Sequence, residues 1–144
     1  MIEEIESKDP FVLNVGVAGS GEMDDKKRVK KIMRLVKDRL LVGRKMVIHH
    51  GGRHGLDRTV DAWACHNNVE TIVHKSRPDQ HGSAAIAMRN SEILENVDLL
   101  IAFTGGRGTK DCVNQAILRN VPVIDEYETM INRYKAMMSI DSLV

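Results

Sequence analysis

Three glycine-bearing turns, each following a short apolar run, hold the residues of this chain that could do chemistry. They are Gly19-Ser20-Gly21, the stretch from His49 to Asp57 reading HHGGRHGLD, and the run Gly105, Gly106, Arg107, Gly108, Thr109. Glycines there let main-chain N–H groups approach a ligand closely, and a helix start behind them adds partial positive charge. The group so attracted is an anion, above all phosphate. A tight strand-to-helix turn would explain one or two glycines. Gly105, Gly106 and Gly108 fall within four positions, with Arg107 beside them and Thr109 as a hydroxyl donor, which favours the anion site.

Arg89 is the cation best placed to serve it. Ile86, Arg89, Asn90 and Ile93 follow i, i+3, i+4, i+7, the stripe of a helix that faces a sheet. A guanidinium on that stripe needs an anionic partner, because an unpaired buried charge is costly. The partner is either a carboxylate of the chain, Asp98 or Asp57, or a ligand phosphate held by two parallel hydrogen bonds; the ligand is the favoured reading. Asp57 falls in the first turn of a helix, where it either complements the helix dipole or presents a carboxylate to ribose hydroxyls. His49, His50 and His54 lack a carboxylate or thiolate at a recognisable ligand spacing, so no metal site is expected. Cys112 would be activated only if its sulfur met a helix N-terminus; with no histidine fixed nearby, an inert core residue is expected.

Apolar patterning supplies the elements that would position these groups. Strands are expected at 11–18, 45–49, 69–74, 97–103 and 121–125, and helices at about 24–40, 56–67 and 82–95. A further helix follows the Gly105–Thr109 turn, with Val113, Ala116, Ile117 and Asn120 on one face. The tail from Tyr127 to Met138 is amphipathic. Asp24 or Asp25 caps the first helix, whose buried face carries Val29, Ile32, Met33, Val36 and Leu40, and Gly43 stops it. A loop holding Pro78 precedes the helix that carries Arg89. Pro122 cannot donate to a ladder, so the last strand starts there or lies at an edge.

Alternating strands and helices with short connections predict an α/β, doubly wound parallel sheet of about five strands, with helices on both faces. The whole chain, 1–144, reads as a single domain, with 1–10 as an N-terminal extension and 127–144 as a C-terminal helix and tail. Ligands of such sheets sit at the strand carboxyl ends, near the point where strand order reverses. If the first and fourth strands are neighbours, their glycine turns face each other there.

Composition narrows the partners. The net charge of +1 creates no global field for nucleic acid, and 3% aromatic residues leave few platforms for stacking bases, so nucleic acid is not expected as a partner. No apolar run approaches the roughly 20 residues of a membrane span. Met1 to Pro10 lacks the apolar stretch of a secretory signal, and Cys65 and Cys112 fall on separate helices, so reduced thiols and a cytoplasmic location are expected. Gly19-Ser20-Gly21 resembles the start of a dinucleotide fingerprint. Asp24 stands at its third glycine, however, and Arg39 and Leu40 replace its later acid, so a standard NAD site is not expected.

Four pieces in order resemble the SLOG superfamily, particularly its YspA-like stand-alone members: VGVAGSGE, HGGRHGLDRTVDAWA, AAIAMRNSEIL and VDLLIAFTGGRGTKDCV. The resemblance runs from about Val15 to Ile124. It implies a Rossmann-like fold that binds nucleotides or nucleotide-derived molecules, often as a homodimer with the cleft near the interface. Within the superfamily, Lonely Guy phosphoribohydrolases cleave the N-glycosidic bond of nucleoside monophosphates with a helix arginine and the glutamate of a PGGxGTxxE turn. Arg89 and Gly105–Thr109 match that pattern, while Thr104 replaces the proline and Cys112 the glutamate. A thiol substitutes poorly for a carboxylate beside an oxocarbenium-like transition state. Asp111 is rotated by roughly 100 degrees on the helix and is no simple stand-in. DNA-processing protein A carries a related fold on single-stranded DNA, a use that the charge and the aromatic content oppose.

The expectation is therefore a binder of a phosphorylated nucleotide or nucleotide-derived small molecule, with no cofactor. Gly105, Gly106, Gly108 and Thr109 would cradle phosphate, with Arg89 paired to it, Asn90 and Thr104 adjacent and Arg107 at the rim. Gly19, Ser20, Gly21, Gly51, Gly52, Arg53 and Asp57 would line the base and ribose side. The alternative is a nucleotide N-glycosidase with Arg89 retained and Asp57 or Asp111 in the missing carboxylate's role.

Overall fold

A computed structural model describes residues 9–19, 26–40, 43–52, 56–103 and 105–125. Of the residues singled out above, Ser20, Gly21, Asp24, Asp25, Arg53, His54, Thr104 and the amphipathic tail lie outside the described residues, as does the side chain of Leu40.

Five strands, β1 (Val12–Ala18), β2 (Lys45–His50), β3 (Glu70–Val73), β4 (Leu99–Ala102) and β5 (Val123–Asp125), pair in parallel in the order β3-β2-β1-β4-β5. Between them run α1 (Lys26–Leu40), α2 (Leu56–His66), α3 (Pro78–His81), α4 (Ala85–Glu95) and α5 (Arg107–Leu118). β1 and β4 are neighbours although 80 residues separate their ends and starts, so strand order reverses between them. The carboxyl ends of β1, β2 and β4 all lead into the glycine turns.

The alternation of side chains along each strand divides the core in two. Leu13, Val15 and Val17 of β1, Met46 and Ile48 of β2, and Leu99, Ile101 and Phe103 around β4 face one side. There they meet Val29, Ile32, Met33 and Val36 of α1 and Leu56, Val60, Trp63 and Ala64 of α2. Leu100 points the other way, toward Ile93 and Leu94 of α4 and Cys112 and Ala116 of α5. Each wholly buried aliphatic or Phe side chain contributes about 1.5–3 kcal/mol, so the sheet centre is a stiff platform for its carboxyl end.

Three details depart from the sequence reading. Pro78 does not sit in a loop: it opens the short helix α3, where its missing N–H has no helical acceptor to lose. A 3-10 turn, Gly82–Ala84, follows, and α4 starts only at Ala85. On α5 the buried face runs through Thr109, Cys112 and Ala116, with Val113 half-buried, whereas Ile117 is 62% exposed and Asn120 lies beyond the helix at positive φ. The stripe is counted from Thr109, and one turn later Ile117 has rotated off it. β5 begins just past Pro122 and is also an edge strand, and the Pro122 carbonyl accepts the Leu100 N–H at 2.9 Å. Among the described residues no helix is long and apolar enough to cross a membrane.

Candidate functional site

A cleft opens where strand order reverses. Val17, Ala18 and Gly19 at the end of β1 and Gly51 after β2 form one side. Asp57 of α2 joins them, and Arg89, Asn90 and Ile93 of α4 with Gly108 and Thr109 of α5 form the other. About 300 Å³ within it is unfilled by protein atoms, part of it open to solvent.

Among the described residues Arg89 is the cation of this cleft, and it is 7% exposed. Its Nε donates to Asn90 Oδ1 at 3.2 Å, and its Nη1 lies 3.5 Å from the Gly51 carbonyl oxygen. Asn90 in turn donates from Nδ2 to the Gly108 carbonyl at 2.9 Å and to Asp111 Oδ2 at 3.0 Å. Gln115 Nε2 reaches the same Asp111 oxygen at 2.8 Å. One amide thus orients the guanidinium with its oxygen and clamps α4 to the first turn of α5 with its nitrogen. Asp111 is consumed by that clamp.

Gly51 owes its identity to Arg89. A Cβ there would fall 2.0 Å from Nη1 and 2.7 Å from Cζ, inside any permissible contact. Gly51→Ala is expected to expel the guanidinium from its seat and lower stability by about 1–3 kcal/mol, read by urea unfolding. Across the cleft, a Cβ on Gly19 would meet Leu56 Cδ2 at 2.1 Å, so the backbone passes here only bare.

At the start of α5, Gly106 is the N-cap and no side chain caps the helix. Its carbonyl accepts the Lys110 N–H at 3.1 Å, so the N–H groups of Arg107, Gly108 and Thr109 have no acceptor within the helix. Among the described residues nothing lies within 4 Å of a Cβ built on Gly106. Thr109 is buried against the cleft, while Arg107 and Gly106 are exposed outside its lining, with Gly105 half-buried beside them.

On the opposite wall Asp57, 5% exposed, lies with Oδ2 at 3.8 Å from His50 Nδ1. That imidazole accepts the Gly52 N–H on Nδ1 at 3.0 Å, so its proton sits on Nε2 and is donated to Asp61 Oδ1 at 2.6 Å. Gly52, at φ +74°, is therefore turned to His50 rather than to the cleft. Asp98, the other carboxylate weighed for Arg89, accepts the Asn14 N–H at 2.8 Å and donates its own N–H to the Asn14 carbonyl, at the amino end of β4.

Cys112 is buried under α5, and burial pushes its thiol up to about 12 although the Arg89 guanidinium pulls the other way. At neutral pH it is a protonated, apolar filler. Cys65 is exposed. Native protein treated with iodoacetamide is expected to take one label, at Cys65, and the second only after unfolding; peptide mass mapping reads the difference.

A group that the sequence did not flag lies on the α4 side of the sheet. His49 Nε2 contacts Asn14 Oδ1 at 2.8 Å, His49 Nδ1 contacts His74 Nε2 at 2.9 Å, and His74 Nδ1 donates to Glu92 Oε1 at 3.0 Å. Burial and the neighbouring His74 lower the His49 pKa to about 4. Strand alternation alone marks His49 as inward-facing, but its partner is 25 residues away on another segment. Among the described residues no group of three or more His, Cys, Asp or Glu side chains is arranged to hold a metal ion.

The sheet order and the cleft at its reversal define a Rossmann-like α/β domain. The X-ray structure of TM1055, a structural genomics target, shares this fold at a TM-score of 0.56 and 16% identity, over 78% of this chain and 72% of that one. Residues 14–81, from β1 to α3, match the model of the YspA, cpYpsA-related SLOG family (YAcAr), a span of just under half of the chain. A search of curated proteins finds no match. The family match ends before α4, so the placement of Arg89 and of the α5 turn rests on the geometry alone.

Proposed function

We propose that this protein is a cytoplasmic binder of a phosphorylated nucleotide or nucleotide-derived small molecule, seated in the cleft between the ends of β1 and β4. The observation that carries the reading is a buried guanidinium, oriented by Asn90, beside a helix start whose first N–H groups lack a side-chain cap. Together they offer several fixed donors to one phosphate at little reorganisation cost. Asp57, with Gly19 and Gly51, supplies the side on which ribose hydroxyls would be met.

A phosphoribohydrolase reading is narrowed by the same geometry. With Cys112 protonated and Asp111 engaged, Asp57 is, among the described residues, the carboxylate that shares the cleft with Arg89. Incubation with AMP, GMP, CMP and UMP tests both readings at once. Stabilisation against thermal unfolding without release of free base supports the binder, and base release abolished by Asp57→Asn supports the hydrolase. A nucleotide at 100 times its dissociation constant adds about 2.7 kcal/mol of stability. No shift with any nucleotide would overturn the proposal. The homodimer implied by the resemblance belongs to this proposal too, and light scattering in solution reads it directly.

A further inference from the structure

Beyond the far side of Arg89 lies a second hollow that the reading above does not use. Lys75 and Arg77, on the segment after β3, form its rim with His81 of α3, while Ala85, Met88 and Glu92 of α4 form its floor. Arg89 lines both hollows and is the wall between them. The charge here is unbalanced. Lys75 and Arg77 are exposed and have no ion pair or side-chain hydrogen bond among the described residues. Among the described residues the one carboxylate of the hollow, Glu92, is drawn to His74 at 3.0 Å rather than to them. About 330 Å³ here is unfilled by protein atoms, part of it open to solvent.

We infer that this hollow is a second anion subsite, and that the ligand of the cleft is a nucleotide with two phosphate groups, one on each side of Arg89. The inference rests on the proposed nucleotide reading and deepens it. A monophosphate in the cleft would leave Lys75 and Arg77 facing solvent. A second phosphate would meet two exposed cations backed by a buried one, an arrangement that rewards charge without demanding one geometry. Met88 and Ala85 add apolar surface to the floor of this hollow, against which a sugar edge can lie.

The test compares AMP, ADP and adenosine 3′,5′-bisphosphate, with the guanosine series beside them, by isothermal titration at low salt. Tighter binding by about tenfold or more is expected for a two-phosphate ligand over the monophosphate. ADP would lead if the phosphates are adjacent, and the bisphosphate if a ribose separates them. In Lys75→Ala/Arg77→Ala the ratio of the two affinities should collapse toward one, and in Lys75→Glu/Arg77→Glu fall below one. Both positions are exposed, and unchanged thermal unfolding of the free protein checks that the fold is intact. Equal affinities in the wild type, or a ratio that survives the double substitution, would overturn the inference while leaving the nucleotide reading standing. Absence of binding by every nucleotide would remove both.

Discussion

Arg89→Met is expected to weaken binding of a nucleoside monophosphate by about 100-fold or more. Hydrogen bonds to a charged group contribute about 1.5–3 kcal/mol each, and a guanidinium offers two in parallel to one phosphate. Arg89→Lys keeps the charge but replaces the planar fork with a single ammonium, so a loss of about tenfold is expected instead. Graded losses of this kind separate a phosphate clamp from a merely electrostatic attraction, which lysine would satisfy. Titration calorimetry with AMP or GMP gives the constants. Because Arg89 also bonds Asn90 and approaches the Gly51 carbonyl, methionine leaves two acceptors without their donor, and unfolding of the free protein should be followed alongside. An unchanged affinity in Arg89→Met would show that the guanidinium serves only the fold.

Acid should destabilise the protein through His49. Its folded-state pKa, about 4, lies below the ordinary 6.5 because burial and His74 both oppose the charged ring. Asp98 and Glu70 pull the other way, and His50 adds slightly to the depression. Below 6.5 the unfolded chain takes up a proton that the folded chain refuses. Stability therefore falls as pH drops from about 6.5 to about 4 and levels off for this group below that. A difference of this size corresponds to roughly 3 kcal/mol over the window. Urea unfolding at pH 7, 6, 5 and 4 measures it, and in His49→Gln the slope over that window should shrink by about one proton. An identical slope in the variant would place the titration elsewhere.

Much of this architecture is visible in the sequence because its signals are local. Apolar runs that end in Gly19, Gly51 and Gly105 mark strands meeting turns, and the spacing of Ile86, Arg89, Asn90 and Ile93 marks a helix face with a cation on it. Those signals were enough to bring Gly19, Gly51, Asp57, Arg89, Asn90, Gly108 and Thr109 to one place. What escaped depends on contacts across the fold. The reason for Gly51 is a side chain 38 residues further on, not a turn conformation. The difference between Asp57 and Asp111 lies in Asn90 and Gln115, both of which donate to the Asp111 carboxylate. Ile117 was misplaced because helical spacing fixes relative angles along α5 but not which turn first touches the sheet. The last three strands were read at 69–74, 97–103 and 121–125 but span Glu70–Val73, Leu99–Ala102 and Val123–Asp125, because the apolar runs extend beyond the paired segments.

His49 and His50 are consecutive in β2, yet one bonds toward Asn14 and His74 on the α4 side and the other toward Asp61 of α2. A shift of β2 by a single residue would turn each ring to the opposite face of the sheet, parting His49 from Asn14 and His74 and His50 from Asp61. Misaligned assembly is thereby penalised on both sides of the sheet at once. The paired rings act as a key cut on two edges, admitting one alignment of the strand that delivers Gly51 to Arg89.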